Sequence, residues 1–98
     1  MALQFGMSLR GTAGIAAAAR RIEALGFDHL FSGEHVAFHV PTPNNFVSLS
    51  VAAGATERVR LVSAITLRPL YPAVLAAKLG AALDVASDGR FVMGVGVG

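Results

Sequence analysis

Cysteine and tryptophan are both missing from these 98 residues, and charged side chains make up only 14%. Without cysteine there is no disulfide framework, no thiolate nucleophile and no Cys-based metal site. A reducing setting, the cytoplasm, is the expectation. Basic residues exceed acidic ones by only two, eight Lys and Arg against six Asp and Glu, and they are scattered. That spread argues against nucleic acid as a partner. Arg20-Arg21 and Arg58 with Arg60 each have Glu nearby and read as solvated faces. No apolar run reaches the roughly 20 residues that span a bilayer, because Lys78, Asp84 and Asp88 interrupt the longest candidate. Met1 to Gly14 lacks a basic segment followed by a sustained apolar run, so no signal peptide is expected.

What the chain has in excess is apolar surface: 54% of its residues are hydrophobic and the mean hydropathy is +0.61. Too little polar surface remains to cover a monomer, which predicts burial against a partner, most simply another copy.

Leu3 to Met7 reads as a first strand closed by Ser8 to Gly11. Thr12 is positioned to cap a helix whose Ile15, Ala18, Ile22 and Leu25 recur at helical spacing. Gly26 ends it, and Asp28 to Ser32 forms a second strand with no room for a hairpin between. A loop follows through Pro43-Asn44-Asn45, longer than a strand-to-helix connection needs, and long loops at strand ends tend to carry function. Asn44 or Asn45 then caps a second helix through Phe46, Leu49, Ala52, Ala53 and Thr56. Val59 to Thr66 is a β-branched, apolar third strand. Leu67 to Pro72 is excluded from regular structure by Pro69 and Pro72, with Pro72 suited to open a third helix. Leu75, Leu79, Ala82, Leu83 and Ala86 form that helix's stripe, and Phe91 to Val95 is a fourth strand.

The order is βαβαβαβ in a single α/β unit, with a parallel sheet whose strands are apolar throughout and therefore covered on both faces. In such sheets chemistry gathers at the carboxyl ends of the strands. Strand two ends in Gly33-Glu34-His35, where a carboxylate beside an imidazole can hold its tautomer or raise its basicity. The structural alternative is a pair that only ties down the following loop, and consecutive residues on a strand point oppositely. His35 and His39 have the spacing of a helical metal pair, but Pro41 and the turn residues argue against a helix, so no metal is expected. Gly94-Val95-Gly96-Val97-Gly98 is an incomplete phosphate-loop pattern, better read as glycines that let a strand end pack closely. Ser63, Thr66, Tyr71 and Lys78 compose no triad or Schiff-base setting.

Taken together, Gly26 to Phe31 with Gly33-Glu34-His35, Ala55 to Leu61, Pro72 leading to Lys78 and Leu83-Asp84, and Asp88-Gly89-Arg90-Phe91 with Gly94-Val95-Gly96 resemble the bacterial luciferase-like monooxygenase superfamily. The wording is most similar to its deazaflavin (coenzyme F420)-dependent oxidoreductases, with FMN-dependent members as near relatives. The resemblance covers nearly all of residues 1–98, as one partial luciferase-like domain. It implies strands one to four, the amino-terminal half of a TIM (β/α)8 barrel, with a cofactor ring at the strands' carboxyl ends. His35 would be the active-site histidine, and Glu34 stands where many F420-type members carry an aspartate. A non-prolyl cis peptide at Ser63-Ala64 would support the ring, and Ser63, Ala64, Ile65 and Thr66 would form its wall. The implied cofactor is F420 first and FMN second, with hydride or oxygen chemistry on a small organic substrate.

The resemblance also implies that the remaining four strands and their phosphate-binding loops lie outside this chain. Alone, it should be inactive as a monomer and should pair with another copy or with a missing carboxyl-terminal half. The alternative is a non-catalytic half-barrel module that oligomerises or binds cofactor without turnover.

Overall fold

The computed structural model describes residues 2–98. Four strands, β1 (Gly6–Ser8), β2 (His29–Ser32), β3 (Arg60–Leu67) and β4 (Phe91–Gly96), alternate with helices α1 (Ile15–Ala24), α2 (Asn45–Ala55) and α3 (Ala73–Ala86). All neighbouring strands pair in parallel in the order β1-β2-β3-β4. Each strand therefore reaches its neighbour through a helical crossover, the βα repeat predicted from the sequence.

Register divides the sheet into two faces. Met7, Leu30, Leu61 and Phe91 share one row and Ser8, Phe31, Val62 and Val92 the next. The first row faces the helices: Leu30 and Leu61 are fully buried with Ala19, Leu49, Ala52 and Val59 in the main core. Burying each leucine contributes about 1.5–3 kcal/mol. The second row lies on the face without helices, and there Val92 remains exposed while Phe31 and Val62 are half-buried.

Several local expectations are corrected. Strand one starts at Gly6 rather than Leu3, because Phe5 is tied to Asp28 by its N–H on the carboxylate at 2.9 Å as well as through its carbonyl. Strand two starts at His29 and strand three at Arg60. Gly14, not Thr12, is the N-cap of α1; its φ of 67° suits glycine, and no side chain caps that helix. The segment Leu67 to Pro72 contains a single 3-10 turn at Arg68–Leu70, with Pro69 in an opening position where no donor is needed. Pro72 is the N-cap of α3. In α3 the buried positions are Ala76 and Leu83, whereas Leu75, Ala82 and Ala86 are exposed. Only a narrow seam meets the sheet, where Gly80 lets Met93 approach.

Arg58 and Arg90 are fasteners. Arg58 is exposed, as expected of a solvated face, and from there donates to the carbonyls of Glu23 and Phe27. No helix among the described residues is long and apolar enough to cross a membrane.

Candidate active site

Parallel strands with helical crossovers leave their carboxyl ends open for loops, and the loop after β2, residues 33–44, is the longest of these. It is held by Glu34, which is 6% exposed. One carboxylate oxygen accepts from the Leu67 N–H at 2.8 Å; the other accepts from the Asn44 side-chain amide at 2.7 Å and from the Tyr71 hydroxyl. Asn44 in turn donates to the Tyr71 oxygen at 2.7 Å and caps α2 by accepting from the Val47 N–H at 3.2 Å. Four parts of the chain thus meet on one carboxylate: the end of β2, the start of α2, the end of β3 and the turn before α3. Burial, and then the hydrogen bond to Glu34, raises the Tyr71 phenol above its ordinary value.

His35, the next residue, is exposed and makes no hydrogen bond among the described residues, to Glu34 or to any other group. The direct carboxylate-to-imidazole contact expected from the sequence is replaced by a ring contact. The His35 imidazole stacks on Phe38 with centroids 4.1 Å apart and planes 9° apart, and Phe38 meets His39 at 4.1 Å and 48°.

The four predicted wall residues separate. Ser63 is buried and bridges to β4, donating to the Gly94 carbonyl and accepting from the Gly94 N–H, both at 3.0 Å. Thr66 is buried and donates to Asn45 at 3.1 Å. Ile65 is half-buried against Gly96. Ala64 alone of the four lines a cavity of about 610 Å³ at the strand ends, together with Ser8, Arg10, Thr12, Gly33 and the loop from Val40 to Pro43. His35 lines an adjoining cavity of about 480 Å³ with Thr12 and Phe38; Thr12 and Val40 to Thr42 border both.

The non-prolyl cis peptide lies at Ala64-Ile65, one residue later than expected. Ser63 keeps its ladder position opposite Met93, and the β3–β4 register breaks only after it. This irregularity explains the β4 glycines: a Cβ on Gly94 would sit 2.4 Å from the Ser63 carbonyl oxygen, and one on Gly96 would sit 2.1 Å from the Ile65 side chain. They serve close strand packing, as the structural reading had it.

Sequence reasoning missed Tyr71, Asn44 as a Glu34 partner, and Phe38. A tyrosine held between Pro69 and Pro72 just past a strand end was one available signal, and an aromatic between His35 and His39 was another.

A cavity at the carboxyl ends of a parallel sheet is where barrel and open α/β folds alike hold their ligands. The sequence profile of the luciferase-like monooxygenase family matches residues 4–98, and the chain belongs to that family. Its fold is the amino-terminal half of that family's TIM barrel. No curated protein matches the chain. Among solved structures, it is similar to the type II Baeyer–Villiger oxygenating constituent of 3,6-diketocamphane monooxygenase from Pseudomonas putida, in complex with FMN, at 21% identity and a TM-score of 0.83, covering 99% of this chain and 30% of that one. It is similar to monooxygenase RslO1 from Streptomyces bottropensis at 31% identity, TM-score 0.77, covering 95% and 32%. It is also similar to the coenzyme F420-dependent tetrahydromethanopterin reductase from Methanopyrus kandleri at 26% identity, TM-score 0.82, covering 98% and 27%. The chain therefore spans about 30% of the length of these structures.

Proposed function

We propose that this chain supplies the first half of the cofactor mouth in a flavin- or deazaflavin-dependent oxidoreductase acting on a small organic substrate. The observation that carries the reading is the cavity of about 610 Å³ floored by Ala64 and Gly33 at the strand carboxyl ends, with His35 beside it. These two small residues leave that part of the wall free of bulk, and they pack closely, since a Cβ on Gly33 would lie 3.3 Å from the Ala64 carbonyl oxygen. Coenzyme F420, favoured by the wording around Gly33-Glu34-His35, would supply hydride chemistry, and FMN hydride or oxygen chemistry. Ala64 and Gly33 would line the part of the cavity that takes the ring, and His35 would hold or pass a proton at an imidazole nitrogen. Glu34 acts through the loop it anchors. The cytoplasm goes with this reading as the setting of the reaction.

The exposed apolar edges support the second half of the proposal, closure of the mouth by another copy or by further chain. Phe5 and Met7 on the β1 side and Val92, Val95 and Val97 on the β4 side are all exposed. The alternative, a half-barrel module that oligomerises or binds cofactor without turnover, rests on the same edges. Titration with F420 and with FMN, followed by ring fluorescence, separates them alongside size-exclusion chromatography. Saturable binding of one ring cofactor that is weakened when Ala64→Leu fills the cavity, together with turnover, supports the oxidoreductase; binding without turnover supports the module. An oligomer that binds neither supports the module.

A further inference from the structure

We infer that Phe38 is the positioning residue for His35, setting the plane of the imidazole by face-to-face contact while leaving both ring nitrogens free. This rests on the proposed role of His35 and adds the group that orients it. A histidine in a proton-handling role is commonly oriented by a hydrogen bond to one nitrogen, which leaves only the other for chemistry. His35 has no such bond, and Glu34, the obvious candidate, is occupied by Leu67, Asn44 and Tyr71. What His35 has is Phe38, 4.1 Å away and tilted by only 9°.

Face contact at that separation fixes tilt without touching the ring edge, where the nitrogens lie. Phe38 is itself braced on its neighbour His39 at 4.1 Å. The loop carrying this stack is held at one end by Glu34 and at the other by Asn44, which contact each other at 2.7 Å. Between these anchors Phe38 lies against His35, with both rings still exposed to solvent on their outer sides. Both rings border the cavity of about 480 Å³ that adjoins the proposed mouth.

The test uses the complete protein as isolated, with 1H–13C spectra of the imidazole resonances assigned by His35→Gln. In the wild type, the His35 ring protons lie upfield of a free histidine because of the Phe38 ring current. Phe38→Leu returns them to the free position, while Phe38→Trp keeps them upfield. With FMN or F420 loaded, Phe38→Leu lowers single-turnover rate about tenfold while cofactor Kd stays within about twofold, and Phe38→Trp restores most of the rate. Unshifted wild-type resonances, or resonances that do not move in Phe38→Leu, overturn the inference. Failure of both cofactors to bind counts against the proposed function instead, and the spectra of the unloaded protein still decide the role of Phe38.

Discussion

At the amino-terminal end of the strands Arg90 gives its guanidinium to the carbonyls of Ser87, Val59, Ala53 and Thr56 and to the Thr56 hydroxyl, at 2.8 to 3.1 Å. At the carboxyl end the His35 imidazole stacks on the face of Phe38 and makes no hydrogen bond among the described residues. The same contrast holds for the acids. Glu23 is consumed by the N–H groups of Glu57, Arg58 and Val59, and Glu34 by a clamp that leaves the residue after it free. One end spends its polar groups on closing helix and strand termini, and the other spends one acid to present a loop. Stability should therefore be sensitive to the first end and chemistry to the second.

The sharpest way to break this comparison is Arg90→Leu, which strands the carbonyls that end α2 in a half-buried site. It should cost about 3 kcal/mol by urea denaturation, with no specific effect on cofactor affinity in the fraction that remains folded. Gly94→Ala follows, at about 2 kcal/mol, because the Ser63 carbonyl it meets is backbone. Gly96→Ala meets only the end of the Ile65 side chain and should cost about 1 kcal/mol. An equal effect for the two would mean that the Ile65 side chain yields no more readily than the Ser63 backbone.

The two acid sites sharpen the comparison through pH. Burial works to raise the Glu23 carboxyl, but the N–H groups of Val59, Arg58 and Glu57, with the charge of Arg58, leave it below its ordinary value. Its contribution is then full above the unfolded carboxyl pKa and disappears as pH falls through the lowered folded value. Glu23→Gln should accordingly be less stable than wild type at neutral pH, with the gap closing in acid. Tyr71 runs the other way. Its raised phenol contributes fully below about pH 10 and loses that contribution as pH rises through the folded value. Tyr71→Phe should thus cost about 1 kcal/mol at pH 7 and progressively less in strong alkali.

How much of this was legible in the sequence depends on the range of the interactions. Parallel strands, helix spacing and the Asn44 cap are local, and residues such as Ile22, Leu49 and Leu61 announce the buried face by composition and period. The Glu34 clamp joins residues up to 37 positions apart, and no local pattern encodes that Tyr71 rather than His35 receives the acid. Ser63 and Thr66 do not line the cavity of about 610 Å³. Their hydroxyls found Gly94 and Asn45, partners visible only once strands and helices were placed. The cis peptide lies one residue beyond the motif-based expectation, a displacement too small for motif matching to resolve.

The smallest expected effect on stability is the most informative one about function. His35 is exposed, makes no hydrogen bond among the described residues and stacks on an aromatic face, so His35→Gln should change unfolding free energy by no more than about 0.5 kcal/mol. The same change should lower turnover of the cofactor-loaded protein about a hundredfold, because a general acid or base in place contributes at least that much. Glu34→Gln should do the reverse in part. It weakens an acceptor for three donors, costing about 1–2 kcal/mol, and reduces turnover only as far as the loop loosens. If His35→Gln proves as destabilising as Glu34→Gln while turnover barely changes, the carboxyl end is a second fastening end, and the division of labour between the two ends of the sheet does not hold.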